Sequence, residues 1–517
     1  MTDVLVVGAG PSGLMTATLL ARQGIDVRIV DSKPGPCTES RAFATQARTV
    51  ELFRSIGLAD QLIARGAVNT GITFHIKGRD LGGLDFDRAR APDTPYPFIL
   101  MAPQCEIEDV LLRDLATFGV SVERRTTLMT FDQNDTGVRA ALSTGETVTC
   151  DYIVGADGAH SVVRKGLGLD FDGDPYAQRY LLADCRVEWP FDHDTFRIFM
   201  NGDRIGLFLP LAGATTSRVM TTDKTGRDGD LNLPELEAEL RKAMCVPVTL
   251  SSPQWTTRYQ AHLRHVERYR VGRGFLVGDA AHIHSPAGGQ GMNTGLQDAA
   301  NLAWKLAAVL RAGADDALLD SYHDERHPVG VELLRFTDRL YKVTADLSGP
   351  RARLRDTFGP FVVKRVFTLP VPHRKAFRKL SQTGLSYGAG PFTVDGRLAS
   401  KKGPRAGDRA PDADGRLFDL LAGYRLHLLA LSRRPLTDVE KVRLRGIEGV
   451  QTHIVDSGEE AFARYGLTRA DAQALYVIRP DGYVAWRDDG LDVEACRRFL
   501  ARLQGGIATT REAEVVQ

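Results

Sequence analysis

The chain has 517 residues, which at about 150 residues per domain predicts roughly three domains. Hydrophobic residues make up 43% of it and charged residues 25%, as in ordinary globular proteins, which excludes collagen-like, disordered and small disulfide-rich classes. The 66 Lys and Arg residues balance the 65 Asp and Glu residues, so no overall charge favours nucleic acid or an anionic membrane. We expect at most a small, neutral partner.

The six cysteines are far apart and form neither a CxxC pair nor a Cys/His spacing typical of zinc sites, which predicts a reduced, cytoplasmic protein. The apolar N-terminus carries Asp3 where a signal peptide would be basic, and glycines soon interrupt it. It is therefore predicted to be a buried strand. No stretch approaches the roughly 18 uninterrupted apolar residues of a membrane helix.

The first predicted unit is a strand, turn, helix and strand in DVLVVGAGPSGLMTATLLARQGIDVRIVD. Gly8, Gly10 and Gly13 form a GxGxxG motif in the turn, where they permit a tight bend, the approach of a pyrophosphate and close packing of helix on strand. Asp31 ends the second strand, 23 residues after Gly8, where a carboxylate can bind a ribose diol. The unit predicts dinucleotide binding, but the motif alone does not distinguish FAD from NAD.

Alternation of polar and apolar residues predicts strands in GITFHI, TFRIFM and RIGLFLPL, which Gly/Asp-rich turns separate. We expect residues 73–100 and 176–267 to form a second, mostly antiparallel sheet that is inserted into the nucleotide-binding domain.

Two further buried strands, in residues 151–158 and 274–282, also end in glycine and aspartate. If they are parallel to the first strand, all three ends meet at the edge where open α/β sheets bind ligands. The sequence from Gly278 to Asn293, GDAAHIHSPAGGQGMN, predicts a loop with free amides at a helix start. Its alternative, a glycine-rich helix entry without a ligand, is less favoured because three strand ends converge there.

Two other chemistries lack support in the same segments. His282 and His284 alternate as metal ligands can, but no third ligand accompanies them, so no metal site is predicted. The sequence GAHSV lacks the pattern of a hydrolase nucleophile.

The remaining chain is predicted to be helical and then α/β. LQDAANLAWKLAAVLRAG predicts a long helix that ends at Gly313, followed by more helix to about residue 347. Residues 346–395 are expected to be a helical or linker segment. Alternating strands and helices, one opened by a capping box from Ser457 to Glu460, predict a separate α/β domain over residues 396–517.

Three motifs together resemble those of the class A flavoprotein monooxygenases, the family of para-hydroxybenzoate and phenol hydroxylases. They are GAGPSG with Asp31, GADGAHSVVRKGLG at 155–168 and FLVGDAAHIHSPAGGQGMN at 275–293. The resemblance implies a mixed α/β fold, with a Rossmann-like FAD-binding domain formed by residues 1–72, 101–175 and 268–345 and a substrate-binding sheet threaded through it. RAGDRAPDADGRLFDLL and YVIRPDGYVAWR are similar to the thioredoxin-like C-terminal domain of the phenol and polyketide hydroxylase branches.

The resemblance also implies roles for single residues. Asp31 would hold the adenosine ribose and Asp279 the ribityl hydroxyls, while Pro286 would line the substrate side of the flavin. Arg41 would approach the pyrophosphate, unless it is a solvated loop arginine. The full set of implied cofactor-binding residues is Gly8, Gly10, Pro11, Ser12, Gly13, Asp31, Arg41, Gln104, Arg113, Asp157, Gly158, Asp279, Pro286, Gly288, Gly289, Gly291, Met292 and Asn293.

Within that set, Gln104 would contact the ribityl or phosphate region and Arg113 the adenosine side. Asp157 and Gly158 would serve FAD and the approaching nicotinamide, and Arg164 would support their turn. Because there is no second GxGxxG, the nicotinamide cofactor, NADPH or NADH, would bind transiently. Without a CxxC pair, the tail would not perform dithiol chemistry. The expected role of the tail is to act as a scaffold or to support a homodimer.

The implied activity is hydroxylation of a phenolic or polycyclic aromatic substrate with NAD(P)H and O₂, through a flavin 4a-hydroperoxide. His75 and Tyr96, both expected in the inserted sheet, are candidate acceptors of the phenolic proton, and Pro286 is a further candidate beside the ring. The alternative is that His75 and Tyr96 occupy ordinary strand or loop positions without a catalytic role. A Baeyer–Villiger or epoxidising monooxygenase, and a non-catalytic FAD-binding protein, remain open alternatives.

Overall fold

The computed structural model describes residues 2–37, 42–89, 91–211, 216–283, 289–344, 370–400, 402–413 and 415–503. Its helices are α1 (Pro11–Arg22), α2 (Ala47–Ser55), α3 (Ala59–Ile63), α4 (Phe86–Ala89), α5 (Gln104–Thr117), α6 (Val162–Gly166), α7 (Leu233–Met244), α8 (Gly291–Ala312), α9 (Ala317–Thr344), α10 (Pro370–Leu380), α11 (Leu417–Leu420), α12 (Asp438–Arg445), α13 (Glu459–Arg464) and α14 (Val493–Leu503).

Its strands are β1 (Thr2–Val7), β2 (Val27–Asp31), β3 (Ala44–Thr45), β4 (Ala67–Asn69), β5 (Gly71–Ile76), β6 (Arg79–Asp85), β7 (Ile99–Met101), β8 (Val122–Arg124), β9 (Leu128–Asn134), β10 (Gly137–Leu142), β11 (Thr147–Gly155), β12 (Pro175–Glu188), β13 (Phe196–Asn201), β14 (Arg204–Pro210), β15 (Ser217–Asp223), β16 (Thr249–His262), β17 (Arg264–His265), β18 (Arg270–Val271), β19 (Gly274–Leu276), β20 (His282–Ile283), β21 (Val394–Asp395), β22 (His427–Ser432), β23 (Gln451–Val455), β24 (Gln473–Ile478) and β25 (Val484–Asp489).

The first sheet has the strand order β18-β19-β11-β1-β2-β8, and the hairpin β9–β10 extends it from β11. Strand β1 pairs in parallel with β2 and β11, and β11 pairs in parallel with β19. Their runs of buried apolar residues are typical of a sheet with both faces covered. The three glycine-ended strands therefore finish at one edge, as the sequence predicts, and their turns can share a ligand.

The second sheet has the order β16-β12-β15-β14-β13-β5-β6 and is antiparallel except between β5 and β13. One face is closed by α7, and its core includes Phe199, Phe208 and Leu240. On the other face, Phe74 pairs with Ile198 and Ile198 with Leu207 across three adjacent strands. These three side chains are only half-buried and border the core of the first sheet. An apolar surface thus faces the first sheet.

Part of the segment expected in this sheet lies elsewhere. Residues 86–89 form α4, residues 91–98 form an irregular loop that contains Tyr96, and β7 joins β3 and β4 in a small separate sheet. The expectation that Tyr96 lies in the inserted sheet is therefore wrong. The polar and proline residues APDTPYP interrupt the alternation that a strand needs, so the pattern ends at β6.

The C-terminal unit contains a mixed sheet with the order β21-β25-β24-β22-β23. Strand β21 precedes the expected boundary at residue 396. Helix α10 lies in the segment 346–395, which the sequence predicts to be helical or a linker and of which residues 346–369 lie outside the described ranges. The likeness to thioredoxin stays a prediction. No helix in the described ranges has the length and apolarity needed to cross a membrane.

Buried charges join this unit to α8 and α9. Arg479 donates to Glu325 at 2.6 and 2.9 Å and to Asp481 at 2.9 and 2.6 Å. Lys305 and Asn301 of α8 also donate to Glu325, at 2.8 and 2.7 Å. Burial lowers the pKa of Lys305 to about 8, although the adjacent Glu325 favours its charged form. The ion pairs satisfy charges that would otherwise oppose docking of the unit.

Acid is expected to destabilise the C-terminal unit through His427. Burial lowers the pKa of this fully buried imidazole from 6.5 to about 3, and its Nδ1 lies 3.0 Å from Nε2 of His453. The unfolded chain takes up a proton near pH 6.5 that the folded chain refuses until about pH 3, so stability is lost as the pH falls through this window. At about 1.4 kcal/mol per pH unit, the His427 contribution falls by about 2 kcal/mol between pH 7 and pH 5.

Denaturant titrations of the parent chain and of His427→Gln at both pH values would measure this effect. The variant should lose less stability on acidification than the parent does. Equal losses in the two proteins would contradict the assignment to His427.

Candidate functional site

The glycines of the first turn fit three different constraints. Gly8 has φ +99°, and a Cβ there would overlap the carbonyl group of Ala156. A Cβ at Gly13 would overlap the Gly8 carbonyl oxygen. By contrast, a Cβ at Gly10 would meet no heavy atom of the described residues within 4 Å. The turn therefore packs tightly at Gly8 and Gly13 and leaves open space at Gly10.

The N-terminus of α1 faces this space without a competing acid. Gly10 is the N-cap, Pro11 occupies the first helical position, and the first turn has no acidic residue or side-chain cap. Asp31, at the end of β2, accepts hydrogen bonds from the Ala9 amide and the Lys33 amide, each at 2.7 Å. The free amides and the helix dipole suit a phosphate group.

The second turn follows β11 and is held to the third. Asp157 accepts hydrogen bonds from the Val162 amide at 2.6 Å and the Val163 amide at 3.2 Å, in the first turn of α6, whose N-cap is Ser161. Gly158 has φ +73°. Arg164 donates to the Ala159 carbonyl at 2.9 Å and to the Ala280 carbonyl at 3.3 Å. Arg164 thus supports the turn, as the sequence indicates.

The third turn follows β19 and packs on the first. Gly278 has φ +59°, and a Cβ on it would overlap the Ser12 hydroxyl, as would one on Gly295. The side chain of Ser12 therefore sits between the third turn and α8, which leaves its amide for a ligand. Asp279, next in the turn, is exposed. This exposed carboxylate can bind hydroxyl groups.

The start of α8 is fastened to β3. The buried Asn293 side chain donates to the carbonyls of Ala44 at 2.7 Å and Gly289 at 2.8 Å, and accepts from the Gln46 amide at 2.8 Å. A Cβ on Gly289 would lie 2.8 Å from that of Ala44. Because the Asn293 side chain makes these hydrogen bonds, Asn293 can contact a ligand only through its backbone amide, as can Gly291, which has no side chain. Met292 can contact a ligand through its backbone amide or its half-buried side chain.

Gln104 and Arg113 lie at different places on α5. Gln104 is half-buried at the start of the helix, where its amide donates to the Ala42 carbonyl and its side chain to Glu108 at 2.7 Å. Arg113 is exposed and pairs with Asp109 at 2.7 Å. Their cofactor roles stay predictions. Arg41, Pro286 and Gly288 lie outside the described residues.

The candidate proton acceptors are not brought together. His75 is fully buried on the sheet face that α7 covers, stacked on Phe199 at 4.4 Å, and burial lowers its pKa. Tyr96 is buried in the loop before β7, where Arg54 donates to its hydroxyl at 3.2 Å. Strand alternation turns His75 to the opposite face from Phe74, and its role as a proton acceptor stays a prediction.

An ion pair that sequence reasoning missed lies on the apolar face. Arg218 forms two 2.7 Å hydrogen bonds with Asp184, and the Trp255 indole donates to the same carboxylate at 2.8 Å. The guanidinium also lies 5.0 Å from the ring centre of Phe43 in the first domain. Only the pairing of β12 with β15 brings the two charges together, so no local motif could reveal them.

The three turns fit a flavin dinucleotide. The open space at Gly10 and the uncapped α1 suit its pyrophosphate, Asp31 the adenosine ribose and exposed Asp279 the ribityl chain. The uncapped start of α8 supplies amides for the polar edge of the isoalloxazine. The residues present therefore fit the pyrophosphate, the ribose, the ribityl chain and the polar ring edge of FAD.

The apolar face of the second sheet would border the ring. A separate small cavity between α2 and the C-terminal unit is lined by paired charges, among them Arg48 with Glu51 and Arg479 with Asp481. It lies away from the three turns and belongs to the interface.

Comparisons with known proteins agree with this fit. Residues 1–337 match a family model described as FAD binding domain. The chain is 35% identical to pentachlorophenol 4-monooxygenase of Sphingobium chlorophenolicum, over 96% of this chain and 97% of that enzyme. It is 41% identical to 6-methylpretetramide 4-monooxygenase of Streptomyces rimosus, over 65% and 61%. The structure of aklavinone-11 hydroxylase in complex with FAD and aklavinone matches with a TM-score of 0.76 and 25% identity, over 97% and 99%.

Proposed function

The chain belongs to the family of FAD-dependent aromatic monooxygenases, and on this premise we propose that its substrate is a polycyclic phenol. The enzyme binds FAD and uses NAD(P)H and O₂. Bound FAD would supply the redox chemistry, by which a hydride from the nicotinamide and O₂ give one oxygen atom to the aromatic ring and one molecule of water. The protein positions the reacting groups, limits their contact with water and sets their electrostatic environment.

The observation that carries the proposal is the width of the apolar face. Phe74, Ile198, Leu207, Met220 and Leu182 are successive partners across five adjacent strands. Met220 and Leu182 are buried, whereas Phe74, Ile198 and Leu207 are half-buried. Because neighbouring strands lie about 4.8 Å apart, the half-buried part of the band is roughly 10 Å wide. A single ring would leave part of it wet, whereas a fused polycycle would cover it and exclude water. By their names, two of the relatives above act on 6-methylpretetramide and on aklavinone.

Residues of the chain would orient the substrate between this band and the flavin. The half-buried Phe74, Ile198 and Leu207 offer dispersion contacts to a flat ring system. Arg218 and Asp184 form a neutral pair that fixes the sheet against Phe43 of the first domain. Backbone amides at the start of α8 would stabilise negative charge on the pyrimidine edge of the reduced flavin.

A substrate panel tests the proposal. Single-ring phenols, naphthols and three- or four-ring phenols would be compared for stimulated NAD(P)H oxidation, O₂ uptake and product mass, with NADPH and NADH in parallel. The proposal expects the largest stimulation and a product heavier by one oxygen with the polycyclic phenols. Equal or better turnover of single rings would contradict it, and an ester product would favour the Baeyer–Villiger alternative.

A bulkier side chain on the apolar band should lower the kcat/KM for polycyclic phenols more than that for single-ring phenols. Leu207→Trp adds a bulky ring at the centre of the apolar face, so we expect the kcat/KM for three- and four-ring phenols to fall about tenfold, with little change for single rings. Steady-state kinetics measures both. Val442→Trp is the control, since Val442 is 69% exposed on α12. An equal loss for both substrate classes in Leu207→Trp would contradict the placement.

We further propose a cytoplasmic homodimer. Support for the location comes from the six cysteines, all of which are free thiols. Support for the dimer comes only from the resemblance of the tail to those of related hydroxylases, and light scattering of the purified chain would test it.

A further inference from the structure

Helix α9 forms hydrogen bonds and close packing contacts with the segment that leads into the third turn. The Tyr322 hydroxyl donates to the Leu276 carbonyl at 2.7 Å, at the end of β19. One turn later, His327 lies with Nε2 at 3.2 Å from the Val266 carbonyl. A Cβ on Gly330 would overlap the Tyr269 hydroxyl, so α9 packs closely here. Residues spaced along one helix face thus hold the segment from Val266 to Leu276.

The carboxylate of Asp298 joins α8 to the same turn. It is fully buried, and its Oδ2 lies 2.7 Å from Nε2 of His282 and accepts from the Gly278 amide at 3.3 Å. Its Oδ1 accepts from Nε of Arg326 at 2.7 Å. Gly278 and His282 flank the exposed Asp279. One carboxylate therefore fixes both sides of the turn that carries Asp279.

Arg326 carries this network further. It is fully buried on α9, and it donates to the Thr294 carbonyl in the first turn of α8 at 3.2 Å and to the Tyr387 hydroxyl at 3.3 Å. Burial disfavours the Asp298 carboxylate, but the Arg326 guanidinium keeps the pKa of Asp298 below its usual value. Tyr387 lies between α10 and β21, and its ring packs on Tyr483 of the C-terminal unit at 4.2 Å. The network runs from that unit to the turn of Asp279.

We propose that Asp298 is a positioning residue that, through His282, holds the Asp279 turn against the N-terminus of α8, and that the C-terminal unit acts on the FAD site through Tyr387 and Arg326. This rests on the proposed function only in placing FAD at these turns. It gives the C-terminal unit a role in cofactor binding that needs no thiol.

The test compares FAD affinity and the flavin midpoint potential in full-length variants. His282→Leu removes the donor to Asp298 and should raise the FAD dissociation constant about tenfold and shift the potential. His282→Gln, which retains an N–H donor, should restore both. Tyr387→Phe should weaken FAD binding less, about threefold. His265→Gln, the neighbour of His282 across the β17–β20 pair, is the matched control and should bind FAD as the parent does.

Lower thermal stability of the His282→Leu apoprotein, with unchanged FAD affinity and potential, would overturn the proposal, since the network would then be structural alone. Failure of His282→Gln to restore binding would overturn it as well. A parent chain that binds no FAD would instead overturn the proposed function, and this inference with it.

Discussion

Gly10→Val should abolish FAD binding and leave the apoprotein folded. Gly10 has φ −78° and ψ −176°, a conformation open to any residue, and a side chain there meets no described protein atom within 4 Å. The isopropyl group would occupy the space in which the pyrophosphate must approach the amides of α1. We expect the FAD dissociation constant to rise roughly 100-fold or more, or at least about 2.7 kcal/mol. Fluorescence titration of the apoprotein with FAD measures this.

Gly13→Ala is the informative counterpart to Gly10→Val. Its Cβ would overlap the Gly8 carbonyl oxygen, so this variant should destabilise the apoprotein itself. The two variants are thus expected to differ: Gly10→Val should lose FAD binding but stay folded, whereas Gly13→Ala should lose stability. A Gly10→Val protein that binds FAD as tightly as the parent would contradict the placement of the pyrophosphate.

Arg479→Leu should be the most damaging single replacement at the interface of the C-terminal unit. Arg479 is fully buried and neutralises Glu325 and Asp481, so its loss leaves two buried carboxylates without their shared guanidinium partner. Removal of one partner of a buried ion pair costs about 3–5 kcal/mol. Lys305 alone offsets only part of this charge. Denaturant unfolding followed by the fluorescence of Trp304, whose ring centre lies 5.2 Å from the guanidinium, should show the loss.

The control for Arg479→Leu is another arginine of the same unit. Arg469 pairs with Asp471, and the two side chains are 79% and 73% exposed, so Arg469→Leu should change the free energy of unfolding by less than about 1 kcal/mol. Similar losses in the two variants would show that burial of the Arg479 network does not set its energy.

The sequence predicts the parallel sheet and its three turns well, because each rests on a local pattern. Buried strands that end in glycine and aspartate occur where they are expected. At Gly8 and Gly13 a side chain would overlap backbone atoms, so only glycine fits. A local pattern can also mislead. The expected capping box from Ser457 to Glu460 is absent, since α13 has Gly458 as its N-cap, whereas Thr437 and Glu440 form a capping box at α12.

Features that depend on tertiary pairing could not be predicted. The face on which His75 lies is decided by the register of β5 with β13, and the partnership of Arg218 with Asp184 by that of β15 with β12. Likewise, Glu325 and Arg479 are 154 residues apart and meet only because the C-terminal unit docks on α9. Long-range charge pairs of this kind leave no periodic signal in the sequence.

The most direct test of the central claim is the oxygen balance of the reaction. The purified, FAD-loaded chain would be incubated with a three- or four-ring phenol, NAD(P)H and ¹⁸O₂, and the product analysed by mass spectrometry. Our account predicts a hydroxylated ring that carries one ¹⁸O atom, formed with consumption of NAD(P)H. Rapid NAD(P)H oxidation or bound FAD without any oxygenated product would contradict the assignment of a polycyclic phenol hydroxylase.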